Sequence, residues 1–191
     1  MNLKDLLELA CKDSVFMFDG IYYRQKDGVA MGSPLGPTLA NIFMCYHEKI
    51  WLDECPLSFK PKYYRRYVDD IFVMFENTDK MEEFKKYLNS RHENINFTSE
   101  LEKEGKIPFL DMLIDRSSGQ IVTSIYRKPT FTGVYSHFTS FLPSIDKFGL
   151  LYTLLFRTFT LCSNFKLFHL EIVELKKIFL RNGYPTNFID A

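Results

Sequence analysis

The sequence lacks any long apolar run. Its longest near-continuous one, residues 148–156, is broken by Thr153 and stopped by Arg157, well short of the ~18 residues that a membrane span needs. Met1 leads straight into Lys4, Asp5 and Glu8 instead of an apolar signal core. Membrane insertion and secretion are therefore not expected, and the reading is an intracellular chain, nuclear or cytoplasmic. The four cysteines, Cys11, Cys45, Cys55 and Cys162, contain no Cys-x-x-Cys pair, and the four histidines are scattered. That argues against a zinc site and for reduced, mostly buried thiols. Repeats and low-complexity tracts are absent. So is net charge, because 24 basic residues meet 24 acidic ones.

The neutral total hides a gradient. Residues 76–115 carry ten acids against six bases, whereas residues 116–191 carry nine bases against four acids. The C-terminal part is thus either a candidate polyanion surface or a set of solvated helix faces. Hydrophobic residues make up 46% of the 191 and charged ones 25%, which is globular composition. The 19 Phe and 11 Tyr are expected mostly in cores.

Along the chain, residues 3–17 suggest a short helix. Residues 16–25 read as two strands around the turn dipeptide Asp19-Gly20. Residues 28–37 form a Gly/Pro-rich loop, and a helix follows with Pro37 in its first turn and Leu39, Ile42, Phe43, Tyr46 and Ile50 at helical spacing. Two β-rich runs in 63–75 meet at Asp69-Asp70. Residues 79–91 are an amphipathic helix with Met81, Phe84, Tyr87 and Leu88 on its apolar side. Residues 94–101 read as a strand. Residues 107–114 and 120–126 read as a hairpin across Ser117-Ser118-Gly119, and 129–143 as irregular. Helices at about 144–162 and 166–181 close the chain, the second ending at Asn182-Gly183, with Leu167, Leu170, Val173 and Phe179 expected inward. Strands mixed with helices, then helices alone, give an α+β fold with a helical appendage.

Two features carry chemistry. Adjacent carboxylates at Asp69-Asp70 repel each other, and a hard divalent cation relieves that repulsion. An ordinary Asp-Asp turn is the plain alternative. In the 28–37 loop, Gly28, Gly32 and Gly36 let backbone approach a flat or charged ligand, and the following helix points its amides there. A rigid loop that packs a helix is the plain alternative.

Taken in order, these blocks resemble a polymerase palm. Gly28-Val29-Ala30-Met31-Gly32-Ser33-Pro34-Leu35 is similar to the template-facing loop of reverse transcriptases, and Tyr67-Val68-Asp69-Asp70 resembles their metal-binding turn. Ile107-Pro108-Phe109-Leu110-Asp111, Tyr126-Arg127-Lys128-Pro129-Thr130, Lys147, Arg157 and Cys162-Ser163 resemble the reverse transcriptases of Penelope-like retroelements, relatives of telomerase. The resemblance implies a partial palm over residues 1–128, an antiparallel sheet with packed helices, and a small helix-turn-helix-like thumb over 129–191. It implies an RNA-directed DNA polymerase of a transposable element that adds deoxynucleotides to a DNA primer on an RNA template with two Mg²⁺ or Mn²⁺ ions.

The roles implied by the resemblance are as follows. Asp69 and Asp70 are catalytic and hold metal, Asp69 the more strongly. Met31, Gly32, Ser33, Pro34 and Tyr67 face nucleotide, primer end or template. Phe109 and Leu110 belong to the primer grip. Tyr126, Arg127, Lys128, Lys147 and Arg157 contact nucleic acid. Asp111 is expected to cap or brace the 107–114 hairpin instead of binding metal, and Lys103 or Lys106 is either a general acid for pyrophosphate or, on the plainer alternative, a solvated surface lysine.

The family's third metal carboxylate and its fingers lie several dozen residues before the glycine-rich loop, where only 27 residues stand here. The sequence therefore leads us to expect a piece of such an enzyme, inactive alone, with an open sheet edge and exposed apolar surface. The rival reading is a non-catalytic nucleic-acid-binding or assembly module that uses the basic helical part. Gly20-Ile21-Tyr22-Tyr23 superficially resembles a nuclease signature, but no matching second half follows.

Overall fold

A computed structural model describes residues 2–11, 14–26, 28–30 and 32–190. Packing divides the chain into two units, 1–98 and 99–191. The boundary falls inside the 1–128 span read above as one region. Among the described residues, no helix is long and apolar enough to cross a membrane.

The N-terminal unit begins with α1 (Leu3–Cys11). Asn2 and Asp5 start it by exchanging bonds, each backbone N–H donating to the other's side chain at 3.0 and 2.9 Å. The helix stops at Cys11, and Val15 already opens β1 (Val15–Phe18), which pairs antiparallel with β2 (Ile21–Arg24). The helix expected over 3–17 is thus shorter, because the β-branched and aromatic run from Val15 prefers a strand. The Asp19-Gly20 turn has both φ values positive, 49° and 74°, the backbone that a tight hairpin requires. Every residue of this hairpin is exposed.

α2 (Gly36–Asp53) follows the glycine-rich loop with a proline in its first turn. Its covered side runs through Met44, Glu48 and Trp51, while Ile42 and Tyr46 face outward. β3 (Tyr63–Tyr67) and β4 (Asp70–Met74) pair antiparallel. α3 (Thr78–Asn89) is capped by Asn77, whose side chain accepts from the Lys80 N–H at 3.0 Å. Trp51, Cys55, Phe84 and Leu88 form the buried core, with Tyr64, Val73 and Phe75 packed around it. The strand expected over 94–101 is absent. Instead, the Asn89 side chain accepts from the Phe97 N–H at 2.6 Å and donates to its carbonyl at 3.1 Å. One amide thus satisfies the backbone that a neighbouring strand would otherwise pair.

The C-terminal unit holds a three-stranded antiparallel sheet of β5 (Lys106–Phe109), β6 (Met112–Asp115) and β7 (Val122–Ile125). The 107–114 run turns back on itself at Leu110-Asp111, with Leu110 at φ 55°, so it is a hairpin of two strands, β5 and β6, before β7 joins it. α4 (Ser144–Leu161), α5 (Phe165–Arg181) and the short α6 (Thr186–Ile189) follow. Thr123 of β7 bonds to Ser163 and Leu161, so the α4–α5 connection covers part of that strand.

The core of this unit comprises Leu151, Leu154, Leu175, Ile178, Phe179 and Tyr184. The inward side of α5 is therefore not the expected one. Phe179 is buried, but Leu170 and Val173 are exposed and Leu175 and Ile178 take their place. The fold is α+β, built from small separate sheets.

Asn182 ends α5 and is buried. Its amide donates to the Gly133 and Ile178 carbonyls, both at 2.8 Å, and accepts from the Tyr135 N–H at 3.0 Å. These bonds fix the irregular 129–143 segment onto the helix pair. Asn182→Ala strands buried backbone groups, at roughly 1–3 kcal/mol each where no water reaches them. A drop of about 2–4 kcal/mol is expected in the urea-unfolding free energy, followed by far-UV circular dichroism.

Candidate functional site

Tyr67 pairs with Asp70, so Val68 and Asp69 alone make the β3–β4 turn. The two runs meet one residue earlier than the sequence suggested, and Asp70 is the first residue of β4. Val68 has φ 55°. A β-branched residue there is strained, at a cost of about 1–3 kcal/mol, so neighbouring structure must hold it.

Arg66 holds it. Its Nη1 donates to the Val68 carbonyl at 2.9 Å. Nε donates to Glu48 on α2 at 2.7 Å, and Nη2 reaches Asn41 Oδ1 at 3.1 Å and Cys45 Sγ at 3.4 Å. The Arg66 and Glu48 side chains are only 7% and 12% exposed. Tyr64 donates its hydroxyl to the same Glu48 oxygen at 2.6 Å. Burial first, and the Glu48 bond second, push the Tyr64 phenol far above its ordinary value of 10. Arg66 and Glu48 escaped the sequence reading. The available signals were an arginine beside the paired acids and an acid on the covered side of an apolar helix.

Asp69 and Asp70 are both exposed, and neither carboxylate has a hydrogen-bond or ion-pair partner among the described residues. Tyr67 is 62% exposed beside them. As hard oxygen donors the two carboxylates fit a divalent cation, though among the described residues no cluster of three or more acidic, His or Cys groups surrounds one. In the glycine-rich loop Gly32 has φ 93°, a conformation that other residues rarely adopt. The Ser33 N–H donates to the Ala30 carbonyl and the Gly36 N–H to the Ser33 carbonyl, both at 3.0 Å. Pro34 is exposed, and no side chain caps the first turn of α2. Met31 lies outside the described residues. Through Arg66, the helix that leaves this loop is tied to the Asp69-Asp70 turn.

In the C-terminal unit a cleft of about 270 Å³ collects Leu110, Tyr126, Arg127, Lys128 and Arg157. Phe109 and Lys147 do not line it. Lys147 instead donates to the Ser140 carbonyl at 3.1 Å and lies over the Phe138 ring. Asp111 braces its hairpin through an ion pair with Arg157 at 2.8 Å. Lys106 pairs loosely with Asp115 at 3.5 Å. Burial pushes up the thiols of Cys55 and Cys162, which are unbridged.

Residues 3–108 match the family described as reverse transcriptase (RNA-dependent DNA polymerase). Residues 134–191 match the animal helix-turn-helix domain. No curated protein and no solved structure matches the chain.

Arg66→Ala leaves the Glu48 carboxylate buried without its cation and is expected to destabilise the unit by roughly 3–5 kcal/mol, read from Trp51 fluorescence in urea. Arg66→Lys keeps the charge and recovers part of that loss. A single ammonium cannot span the same acceptors, so the Val68 and Asp69 amide resonances are expected to move. The raised Tyr64 pKa also sets an alkaline limit. Its contribution is full below pH 10, where the unfolded phenol is still protonated. That contribution declines at higher pH, because the unfolded phenol ionises first. Urea midpoints measured from pH 8 to 11 should fall more steeply for the wild type than for Tyr64→Phe.

Proposed function

The chain belongs to the reverse transcriptase (RNA-dependent DNA polymerase) family, and from that premise we propose that it is part of a Penelope-like RNA-directed DNA polymerase whose metal site is built on Asp69 and Asp70. The observation that carries this reading is the pair itself, exposed and unpartnered on a strained turn tied to the helix behind the glycine-rich loop. Mg²⁺ or Mn²⁺ takes one or two carboxylates and completes its shell with water and phosphate oxygens. Such a cation supplies charge neutralisation for a deoxynucleotide's phosphates and activation of a primer 3′-hydroxyl.

In this reading Asp69 is the stronger ligand and Tyr67 lies by the primer end. Met31, Gly32, Ser33 and Pro34 line the nascent pair on the RNA template. The β5–β6 hairpin with Phe109 and Leu110 grips the primer, and the C-terminal helices are the thumb, with Tyr126, Arg127, Lys128, Lys147 and Arg157 toward nucleic acid. Two carboxylates hold a cation loosely and do not fix two ions in line. Extension by this chain therefore awaits a further carboxylate.

The helix-turn-helix match favours a second role for the C-terminal unit, nucleic-acid binding without catalysis. That role entails duplex binding that persists without Mg²⁺ and weakens steeply with salt.

Titrating Mn²⁺ into the ¹⁵N-labelled chain is expected to broaden the amide resonances of residues 67–71 first, with a dissociation constant on the order of 1 mM. Asp69→Asn is expected to weaken that binding about tenfold and Asp70→Asn less, since each removes one charged ligand. Any primer extension supported in Mg²⁺ should vanish in Asp69→Asn. Broadening that centres elsewhere, or that both variants leave unchanged, would remove the basis of the assignment.

A further inference from the structure

We propose that the cleft of the C-terminal unit is a pocket for one unstacked nucleotide, a nucleoside 5′-phosphate either free or at the end of a strand. This deepens the nucleic-acid reading above and does not need the metal turn.

The cleft is concave, at about 270 Å³, near the lower end of the ~300–1,000 Å³ typical of small-ligand sites. It is too small for a duplex. Its apolar side includes Leu154, Leu175 and Phe131, and Phe131 keeps 40% of its surface exposed. The Arg127 guanidinium lies over this ring, 5.3 Å from its centroid, and the surface that the ring keeps exposed beside an apolar wall suits a base, because every base has a flat face to stack.

The polar side suits a phosphate. Three cations line the cleft, and they are not equivalent. Arg127 is committed to Glu171, both terminal nitrogens donating to its two oxygens, one at 2.8 Å. Lys128 is exposed and has no partner among the described residues. Arg157 is half engaged. Its Nη2 meets Asp111 at 2.8 Å, while its Nε is closed to solvent and has no acceptor. The side chain is 33% exposed and its Nη1 has no partner among the described residues, which leaves donor capacity for a ligand in the cleft.

Asp111 is 64% exposed, and an ion pair so open to water is weakly held. The carboxylate thus occupies part of the place that a phosphate would take, as an internal anion that a ligand can displace. Phosphate has more acceptor oxygens than Asp111 and can engage Arg157 more fully, with Lys128 beside it. The hydroxyl-bearing Thr130 and Tyr126 complete the rim.

The test uses the full ¹⁵N-labelled chain at low ionic strength with EDTA, so that failure here is separate from failure of the metal turn. Deoxyadenosine 5′-monophosphate, inorganic phosphate and the 5′-phosphorylated trinucleotide of deoxyadenosine are titrated in parallel. The nucleotide is expected to shift the amides of residues 110–111 and 126–131, with inorganic phosphate about tenfold weaker for want of stacking. Comparison of the trinucleotide with the monophosphate tells a strand end from a free nucleotide.

Arg157→Gln is expected to weaken nucleotide binding about tenfold through loss of charge-assisted bonds. Lys128→Gln, at an exposed position that cannot unfold the unit, should weaken it about threefold. Asp111→Asn should strengthen it about threefold by releasing Arg157, an effect of opposite sign that structural damage does not produce. The proposal is overturned by absence of shifts at those amides. It is also overturned by phosphate binding as tightly as nucleotide, or by Asp111→Asn weakening binding along with Arg157→Gln.

Discussion

The buried contact of Arg66 with Glu48 is what the N-terminal candidate site depends on. Removing a guanidinium and a carboxylate from water is costly, and here the cost is offset by a full set of partners. One guanidinium serves Glu48, Asn41, Cys45 and the Val68 carbonyl, while the Glu48 carboxylate takes the Tyr64 hydroxyl as well. The arrangement orders α2 against β3 and also pins a valine in a conformation that it would otherwise leave. An arginine suits this junction because its planar fork reaches acceptors in several directions at once. Hydrophobic packing of Trp51, Phe84 and Leu88 brings the helices and hairpin together, but packing alone does not specify where the Val68 carbonyl points.

The C-terminal unit solves a different problem. It has a long irregular segment, 129–143, whose backbone groups need partners. Asn182 supplies several of them from the end of α5, and the Tyr135 and Phe138 rings pack on the core beside it. Several bases of this part of the sequence are paired with acids, mostly at the surface. Arg127 is held by Glu171, Arg116 by Glu102, Lys176 by Asp190, and both Lys177 and Arg181 by Glu174. The sum of +5 over residues 116–191 already subtracts Glu171, Glu174 and Asp190, and only Glu102 and Asp111, which lie outside that range, lower it further by pairing with Arg116 and Arg157. Of the charge that a polyanion would meet, Lys128 and the half-engaged Arg157 carry more than the count implies.

Much of this was legible in the sequence wherever local chemistry fixes local shape. Asp19-Gly20, the glycine-rich loop with Pro37 behind it, the amphipathic α3 and the stop at Asn182-Gly183 all declare themselves through residue types with narrow backbone preferences. The misreadings share a cause. The 94–101 segment has strand-like composition, but Phe97 at its middle bonds both ways to the Asn89 side chain, a contact with no periodic signature. The inward side of α5 was displaced because Leu170 and Val173 have the same helical spacing as Leu175 and Ile178. Only the packing partner distinguishes the two sides. The position of the turn at Leu110 was not legible, because leucine is not a turn former and positive φ is not written into its side chain. The paired acids were legible as residues, whereas the Arg66 junction that positions them required the fold.

The chain in fact contains the same strained turn twice, and the comparison separates geometry from function. Val68-Asp69 and Leu110-Asp111 are both two-residue connections between antiparallel strands, both start with an apolar residue at φ 55°, and both place an exposed aspartate second. Backbone strain is therefore not by itself the mark of a metal site in this protein. What differs is the fate of the carboxylate. Asp111 is drawn into an ion pair with Arg157, and the next residue, Met112, adds no charge. Among the described residues Asp69 has no ion-pair partner, Arg66 being turned inward to Glu48, and Asp70 follows with a second negative charge. Two uncompensated carboxylates on adjacent residues raise the local electrostatic energy, and an ion pair such as Asp111 makes would have relieved it. That relief is missing at the first turn among the described residues, with the cation nearest in sequence committed elsewhere, and this difference is what supports the proposed metal at Asp69 and Asp70 and the proposed displaceable anion at Asp111.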